Sequence, residues 1–217
     1  MNEILNIQNL SFSYKDHPIF NNLNLTIYSS TVNFIIGPNG SGKTTLMKIL
    51  FFNKNKYFKT DDVQFVWEFQ NLYENLTVLE NLKIYFNLNV KKRLKFEDQL
   101  NSILKYWDLK NYLKKPVSSL SYGYRQKVHI SRGIIVQPDV LLIDEPFLGL
   151  DYSSYLTMLR IIQETSNKIT FFIFTQNPTV VQDYAKNSSK YQVTVVTLSK
   201  ELSLYCIQNG SKLIDSL

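Results

Sequence analysis

The strongest signal in the sequence is Gly37-Pro38-Asn39-Gly40-Ser41-Gly42-Lys43-Thr44. This stretch matches the pattern G-x-x-x-x-G-K-[ST] at every fixed position, and that pattern is typical of loops that bind phosphate. Residues 32–36 before it predict a buried strand, and residues 45–50 after it have the apolar spacing of a helix. The N–H groups of such a turn and the positive end of the helix dipole attract phosphate. The stretch therefore predicts a triphosphate site between a strand and a helix.

Two side chains of this loop have specific predicted roles. Lys43 would reach the β- and γ-phosphates of a nucleotide, and the Thr44 hydroxyl would hold Mg²⁺. The alternative is a glycine-rich turn that contains a lysine by chance. The full match and its strand and helix flanks favour the phosphate site over that alternative.

The size and composition of the chain limit its class. Its 217 residues suffice for one large domain, or one domain with a lobe, and 44% hydrophobic residues can form a core. The single cysteine, Cys206, excludes a disulfide framework and a multi-cysteine metal site, and it fits a reducing compartment. The first residues show no secretory signal pattern, and the longest apolar runs are far shorter than the ~20 residues that span a bilayer. We therefore expect a soluble chain, which could still sit on a membrane protein.

The net charge of +6 does not by itself indicate a nucleic-acid partner. The densest basic patches are residues 91–95 and Lys114-Lys115, and the other lysines are dispersed along the chain. A nucleic-acid surface would have clustered basic residues with interleaved aromatics. Dispersed lysines are typical of solvated helix ends and loops, so we expect no nucleic-acid partner.

The segments before the loop predict two strands. Residues 4–14 and 19–27 alternate between apolar and polar side chains, with His17-Pro18 between them, which predicts an antiparallel pair. Tyr14 is either an ordinary strand aromatic or a residue that stacks on a nucleotide base. After the helix that follows the loop, residues 53–62 predict a polar connector.

The middle of the chain is predicted to be mainly helical. Residues 63–69 predict a strand that ends at Gln70, which could contact Mg²⁺ and an attacking water but is more simply a polar strand end. Residues 76–113 then have helical apolar spacing without a strand pattern, which predicts a small helical lobe inserted into an α/β core. Ser121 is a natural N-cap for a helix that runs to Val136.

A second apolar strand has two acids at its end. Residues 140–143 lead directly into Asp144-Glu145. Ligands bind at the carboxyl ends of strands in open α/β sheets, so Asp144 would help to place Mg²⁺ and Glu145 would orient or deprotonate a water. A solvated acidic turn is the alternative, but it does not explain why the acids follow such an apolar run. A third apolar strand at 169–174 ends at Thr175-Gln176, so we expect one parallel sheet.

The rest of the chain predicts one more helix and two more strands. A turn at residues 149–151 precedes a predicted helix at 153–165. Residues 192–197 and 202–207 predict strands, and Asn209-Gly210 predicts a hairpin turn.

In this order, the motifs resemble those of the nucleotide-binding domain of ATP-binding cassette (ABC) proteins. The matching segments are the base-stacking aromatic Tyr14, the Walker A loop 37–45, the Q-loop glutamine Gln70 with residues 76–82, the signature segment 120–126 (similar to LSGGQRQ), the Walker B strand with the catalytic glutamate 141–146, and the D-loop 149–151. The resemblance covers nearly the whole chain and implies a single ABC ATPase domain over residues 1–217. Its fold would be an α/β P-loop NTPase core with a parallel sheet, an N-terminal antiparallel β lobe and an inserted helical lobe at about residues 72–136.

The resemblance also implies which residues form the site, with ATP and Mg²⁺ as cofactors. The residues implied to be catalytic are Glu145, Gln176 and Gln70. The residues implied to bind ATP are Tyr14, Gly37, Pro38, Asn39, Gly40, Ser41, Gly42, Lys43, Thr44, Thr45, Ser121, Gly123 and Asp151. The residues implied to hold Mg²⁺ are Thr44, Gln70 and Asp144.

The implied function is that of the ATP-hydrolysing subunit of an ABC transporter. Two cassettes, identical or different, would pack head to tail and trap ATP between the Walker A loop of one and the signature segment of the other. A separate transmembrane permease subunit would receive the motion, which places the chain on the cytoplasmic face of a membrane, or on the matrix side in an organelle. The region from Gln70 to about Leu88 would be the docking surface. Its candidate contacts are Phe69, Leu72, Tyr73 and Tyr85, although buried packing is the simpler interpretation of Tyr85.

Three departures from the family pattern qualify this prediction. Gln176 stands where the family usually has a histidine, and because an amide cannot become a cation, slower hydrolysis with retained binding is predicted. Tyr122 and Tyr124 replace a glycine and a glutamine of the signature segment, and could crowd the shared site or face the partner. No glycine lies between Gly42 and Gly123, so the family's strand pair after the Walker A helix is predicted to be shortened.

Other classes remain open at this point. Within transporters, the short chain is similar to export-type cassettes, including those that serve cytochrome c maturation. A soluble ABC ATPase of an assembly complex, for example in iron–sulfur cluster building, and a slow-hydrolysing regulatory cassette are the alternatives. A DNA-repair or chromosome ATPase would have a long coiled coil between Gly42 and Leu120, where only a short lobe is predicted.

Overall fold

The structure is a computed structural model that describes residues 2–68, 71–186 and 188, and the backbone of 191–195 and 203–205. The strands in these residues are β1 (Glu3–Tyr14), β2 (His17–Tyr28), β3 (Val32–Ile36), β4 (Val63–Val66), β5 (Val140–Asp144), β6 (Thr170–Thr175), β7 (Tyr191–Val195) and β8 (Ser203–Tyr205). The α-helices are α1 (Lys43–Phe52), α2 (Lys54–Tyr57), α3 (Val78–Asn89), α4 (Phe96–Tyr106), α5 (Tyr122–Ile135), α6 (Tyr152–Thr165) and α7 (Thr179–Ala185). Single 3₁₀ turns lie at Lys110–Tyr112 and Val117–Ser119.

The strands form two sheets. β1 and β2 make an antiparallel pair, and the other six strands form one sheet in the order β4-β5-β6-β3-β7-β8. The pairs β4·β5, β5·β6, β6·β3 and β3·β7 are parallel, whereas β8 is antiparallel to β7. Ile36 pairs with Thr175 and Asp144 pairs with Phe174. The carboxyl ends of β3, β5 and β6 therefore meet at one edge of the sheet, and each of them continues into a predicted site segment.

Alternate side chains of the parallel strands enter two separate cores. Phe34 and Phe171 face the core that contains the helices α3 to α7, whereas Ile35 and Phe172 face the core that contains α1, β1 and β2. Burial on both faces explains why these strands are nearly continuous apolar runs rather than alternating ones. The predicted α/β class, with a parallel sheet and an N-terminal antiparallel pair, is confirmed.

Several predicted boundaries were wrong. The strand predicted at 63–69 ends at Val66, because its ladder with β5 stops at the pair of Val66 with Ile143 and the Trp67 carbonyl bonds a histidine ring instead. The predicted polar connector 53–62 contains the short helix α2. Between α1 and β4 the described chain contains no strand pair, only an isolated bridge from Phe58 to β1. The pair that the missing glycines predicted to be shortened is therefore absent from these residues. Residues 196, 197, 202, 206 and 207 of the predicted tail strands and the predicted turn Asn209-Gly210 lie outside the described residues.

Candidate functional site

The loop between β3 and α1 has the backbone that its glycine pattern predicts. Gly40 and Gly42 have φ angles of 82° and 100°, which L side chains rarely adopt. A Cβ on Gly42 would lie only 2.7 Å from Cγ2 of Ile19. The Gly37 N–H donates to the Thr175 carbonyl at 3.3 Å, which ties the start of the loop to the end of β6. Because the first N–H groups of a helix have no partners within it, the loop and the start of α1 together can bind an anion.

Two polar side chains of the loop are buried. The Lys43 ammonium donates to the carbonyls of Gly37 and Pro38 at 2.7 and 3.2 Å, so its charge lies inside the loop rather than in solvent. Ser41 is buried, and its hydroxyl has no hydrogen-bond partner among the described residues. A buried hydroxyl without a partner is costly, and a phosphate oxygen is the acceptor that would satisfy it. Pro38 and Asn39 are exposed along the same loop, and Thr45 is half-buried in the first turn of α1.

The structure brings together two predicted metal ligands that are far apart in sequence. The Thr44 hydroxyl donates to Asp144 Oδ2 at 3.3 Å, across the gap between α1 and the end of β5. Burial, followed by the charges of Glu145 and Glu68, raises the pKa of Asp144 to about 6. A hydroxyl and a carboxylate are hard oxygen donors of the kind that hold Mg²⁺ together with substrate phosphates. The surplus of negative charge around Asp144 also fits a divalent cation.

No group of three or more His, Cys, Asp or Glu side chains suited to a metal occurs in the described part of the chain. A protein-only cage for a metal ion is therefore not present there. The pair of Thr44 and Asp144 fits a metal that takes its other ligands from a bound phosphate and from water.

The second acid at the end of β5 is held by the neighbouring strand. Glu145 has a φ of 46°, an uncommon value for a residue with a side chain, and its N–H donates to the Phe174 carbonyl at 2.9 Å. Its carboxylate oxygens accept from the Thr175 hydroxyl at 3.0 Å and from the Gln176 N–H at 2.9 Å. Burial raises the pKa of Glu145. The side chain of Gln176 is exposed, and its hydrogen bond to Glu145 comes from the backbone N–H.

The signature segment lies at the start of α5, as predicted. Ser121 occupies the N-cap position, but its exposed hydroxyl makes no capping hydrogen bond. The half-exposed Tyr122 ring packs onto the D-loop, since a Cβ on Gly149 would lie 2.2 Å from Tyr122 Cε1. Gly123 lies on the same contact, and its own Cβ would be 3.0 Å from the Gly149 carbonyl oxygen. The Tyr122 bulk is therefore directed at the chain's own D-loop.

The other aromatic of the signature segment packs inside the helical region. The ring centres of Tyr124 and Tyr112 are 4.1 Å apart, and the Lys127 ammonium lies 4.6 Å from the Tyr124 ring centre. Its hydrogen bond with Tyr112, followed by burial, raises the pKa of Tyr124 to about 12. Asp151, the last D-loop residue, caps α6, because its carboxylate accepts from the N–H and the hydroxyl of Ser154.

A family model described as "ABC transporter" matches residues 20–148, which is more than half of the chain. The chain belongs to the ABC transporter family. Its cassette is an ABC ATPase domain, which confirms the family and the enzyme class predicted from the motifs. The subfamily stays a prediction.

Curated relatives of the cassette are ATP-binding proteins of transporters. It is 26% identical over 206 residues to an ABC transporter ATP-binding protein of Onion yellows phytoplasma (strain OY-M), covering 85% of this chain and 35% of that protein. It is 28% identical over 208 residues to the lipoprotein-releasing system ATP-binding protein LolD of Buchnera aphidicola subsp. Acyrthosiphon pisum (strain APS), covering 83% of this chain and 91% of that protein. The cassette thus spans about a third of the first relative and most of the second.

A solved structure shares the fold. The dimeric structure of a post-hydrolysis state of the ATP-binding cassette MJ0796, bound to ADP and Pi, matches with a TM-score of 0.77 and 21% identity. The match covers 96% of this chain and 100% of that one. At this identity the likeness establishes the fold alone.

Gln70 and Phe69 lie outside the described residues, but both flanks of this pair are bound to α5. His129 Nε2 lies 2.8 Å from the Trp67 carbonyl, and burial lowers the pKa of His129 to about 4. Because the neutral ring can only donate to a carbonyl through a protonated nitrogen, Nε2 bears the hydrogen. Arg132 Nη1 donates to the Asn71 carbonyl. Neither contact is predicted from the sequence, because no local pattern around His129 or Arg132 indicates it.

Beside the Thr44–Asp144 pair lies a cleft of about 410 Å³. It is lined by Thr44, Lys48, Phe51, Phe52, Trp67, Glu68, Asn71 and Asp144. Phe52 is 78% exposed, the largest value among the bulky apolar side chains of the described residues. Of the predicted docking contacts, Tyr73 is half-exposed, Leu72 packs against the core, and Tyr85 packs within the chain, where its hydroxyl donates to Gln64.

The predicted base-stacking aromatic, Tyr14, is the last residue of β1. It is 49% exposed and packs edge-on against Phe12, with 5.0 Å between the ring centres.

None of the helices in the described residues has the length and apolar character needed to cross a bilayer.

Proposed function

We propose that this cassette hydrolyses ATP to drive transport through a separate membrane subunit. The observation that carries the proposal is the contact of Thr44 with Asp144, with Glu145 next to it on the same strand end. The contact brings a hydroxyl and a carboxylate about a hundred positions apart in sequence together beside the phosphate loop, which supports Thr44 and Asp144 as metal donors and Glu145 as the base. This is the arrangement that phosphoryl transfer to water requires.

In this proposal the loop binds the phosphates of ATP. Its N–H groups and the buried Ser41 hydroxyl would donate to phosphate oxygens, and the Lys43 ammonium would exchange its loop carbonyls for the β- and γ-phosphates. Tyr14 would stack on the base. Its exposure leaves a ring available to a ligand.

Mg²⁺ would be held by Thr44 and Asp144, with Gln70 as the predicted third ligand. When bound, the ion would neutralise phosphate charge during the reaction. Glu145 would then orient the attacking water and accept its proton. Its raised pKa follows from burial, and it makes the carboxylate a better proton acceptor than an exposed one.

The site would be completed by a second cassette, identical or different. Ser121, Gly123 and Asp151 of one cassette would close over the loop of the other. Two observations support this for the signature segment: the Ser121 hydroxyl is exposed and is not used as a cap, and the start of α5 presents free helical N–H groups. Asp151 supports it less directly, because its carboxylate also caps α6.

The proposed partner in the membrane would dock near Gln70. We propose a single ABC ATPase domain over residues 1–217, with the helical lobe at about 72–136 inserted in its core and the docking surface running from Gln70 to about Leu88. The exposed Phe52 and the neighbouring cleft lie on the same side as the bound flanks of residues 69–70. The names of the relatives, which are ATP-binding proteins of transport systems, support a membrane-associated position. The proposed side is the cytoplasmic face, or the matrix side in an organelle.

The decisive experiment measures ATP turnover with and without Mg²⁺ in the purified protein. Lys43→Ala is expected to lower turnover by at least about 100-fold. The control Lys105→Ala, which changes an exposed lysine, is expected to leave turnover unchanged. Glu145→Gln is expected to bind ATP and to elute as a dimer in size-exclusion chromatography. Gln176→His is expected to raise turnover, and unchanged turnover would contradict the role given to residue 176.

Two outcomes would contradict the wider proposal. Metal-independent turnover of the same size would remove Mg²⁺ and its two donors from the reaction. The second outcome concerns the partners that co-purify with the protein from membranes and from cell extract. If these partners are all soluble and no multi-span membrane protein is among them, the assembly-complex alternative is favoured.

A further inference from the structure

Thr175, the last residue of β6, touches both the phosphate loop and the candidate base. Its carbonyl accepts from the Gly37 N–H at 3.3 Å, and its hydroxyl lies 3.0 Å from Glu145 Oε2. The residue is 1% exposed, so neither contact competes with bulk water. Thr175 is not among the residues that the motifs predict for the site.

The direction of the hydroxyl hydrogen follows from a third contact. The Asn177 N–H donates to Thr175 Oγ1 at 3.2 Å. An N–H group can only donate, so Oγ1 is the acceptor there and its single hydrogen remains for the Glu145 carboxylate. A hydroxyl donating to a carboxylate is one of the stronger hydrogen bonds in proteins.

The Glu145 carboxylate is held at both of its oxygens. Oε2 accepts from the Thr175 hydroxyl, and Oε1 accepts from the Gln176 N–H at 2.9 Å. Two donors from consecutive residues fix both the position and the plane of the carboxylate. The backbone of Glu145 is fixed as well, through its N–H bond to Phe174.

Residue 176 contributes no side-chain donor to this arrangement. The Gln176 side chain is exposed and bonds Glu145 only through its backbone. The hydroxyl of Thr175 is thus the side-chain donor that β6 offers to the carboxylate. Its branched Cβ limits the rotamers of the side chain, which keeps the hydroxyl in place.

We propose that Thr175 is a positioning residue that holds the Glu145 carboxylate in the orientation from which it acts on water. The inference rests on the proposed function, in which Glu145 is the base. Because the same residue accepts from Gly37, it also sets the distance between the carboxylate and the loop that would hold the γ-phosphate.

The test compares three valine or serine variants by steady-state kinetics. Thr175→Val keeps the shape and removes the hydroxyl, and it is expected to lower kcat by about tenfold to a hundredfold with KM for ATP changed by less than about twofold. Thr175→Ser restores the hydroxyl and is expected to recover most of kcat. The matched control is Thr170→Val, at the other end of β6, where an equally buried hydroxyl accepts from the Ser30 N–H; it is expected to leave kcat unchanged.

A double-mutant cycle separates positioning from a general structural role. If Thr175 acts through Glu145, Thr175→Val is expected to have no further effect on the residual turnover of Glu145→Gln. Equal losses in both backgrounds, or wild-type kcat in Thr175→Val, would overturn the proposal. If Thr175→Val does not fold, Thr175→Ala removes the same hydroxyl without added bulk and takes its place.

Crystal structures of the wild type and Thr175→Val test the positioning without any activity. The carboxylate is expected to leave its place in the variant by more than about 1 Å, the scale at which misplacement lowers rates, and to stay in Thr175→Ser. A carboxylate that stays in the valine variant overturns the proposal. A wild-type protein without ATP turnover but with the expected movement would refute the proposed function and leave the positioning intact.

Discussion

The phosphate loop and the signature segment are proposed to meet around one ATP molecule, yet they are built in different ways. In the loop, left-handed glycines shape the backbone, and the buried Ser41 hydroxyl has no partner among the described residues. In the signature segment, Tyr122 packs on Gly149 and Tyr124 packs on Tyr112. The loop is thus organised for a ligand, whereas much of the signature segment is organised by packing within its own chain.

This difference explains why the phosphate loop keeps the family's sequence pattern and the signature segment departs from it. An anion site made from backbone N–H groups depends on φ and ψ at a few positions, so Gly40 and Gly42, which have positive φ, cannot be replaced without strain. The start of α5 presents its N–H groups from an ordinary helix, so the neighbouring side chains can change. Tyr122 and Tyr124 occupy positions where this freedom has been used for contacts with the D-loop and the helical lobe.

The largest difference in stability between the phosphate loop and the signature segment is expected when a glycine of each is replaced by alanine. Gly42→Ala places a side chain at a φ of 100° and 2.7 Å from Ile19, so it is expected to lower the free energy of unfolding by about 1–3 kcal/mol and to weaken binding of a fluorescent ATP analogue more than about tenfold. Gly123→Ala lies in an ordinary helical turn, where alanine gains about 1 kcal/mol of helix propensity against a 3.0 Å contact. Urea denaturation of both variants compares them, and equal destabilisation would refute the distinction.

A smaller effect should expose the contact between the signature segment and the D-loop. Gly149→Ala is strained by its φ of 73° and also meets the Tyr122 ring at 2.2 Å. In a Tyr122→Gly background the clash is absent, so the destabilisation by Gly149→Ala is expected to fall by about 1 kcal/mol. Urea denaturation of the four proteins of this cycle measures the coupling. Additive changes would mean that the ring does not press on the D-loop.

The smallest effect is expected at the two helix caps. Asp151→Ala removes a carboxylate that bonds Ser154 twice and is expected to lower the midpoint of thermal unfolding by a few degrees. Ser121→Ala removes a hydroxyl that makes no cap bond and is expected to leave the midpoint unchanged. A matching loss at Ser121 would show that its hydroxyl does stabilise α5.

The cap at Asp151 also predicts a dependence on pH. The bonds to Ser154 lower the pKa of Asp151, so the folded state favours the ionised form and gains stability above the ordinary aspartate pKa. This gain disappears as the pH falls through the lowered value. The difference between wild type and Asp151→Ala is therefore expected to shrink below about pH 4.

The parts of the molecule that depend on local backbone or on strand order could be predicted from sequence. The loop follows from its glycines, and the meeting of Thr44 with Asp144 follows from strands whose carboxyl ends share an edge. The same rule applies to Thr175 at the end of β6, yet a threonine after an apolar strand is a weak signal without the position of Glu145. The proposed role of Thr175 becomes visible only in the hydrogen bond between its hydroxyl and the Glu145 carboxylate.

The parts that depend on side-chain packing between distant segments could not be predicted. The bulk of Tyr122 could have faced a partner, and only the approach of Gly149 shows where its ring lies. The end of β4 was predicted too late because Trp67 and Phe69 continue the alternation of apolar and polar residues. The hydrogen bond from His129 to Trp67 takes the Trp67 carbonyl out of the ladder. Neither outcome follows from spacing or propensity.

The helix α5 links the signature segment to the two flanks of residues 69–70. α5 has 14 residues and is about 21 Å long, with Ser121 at its start and with His129 and Arg132 bound to the carbonyls of Trp67 and Asn71. A helix of this length behaves as a stiff lever. Any tilt that carries Ser121 toward another molecule must therefore pull on the backbone at both ends of the segment 67–71, so the two places cannot move independently.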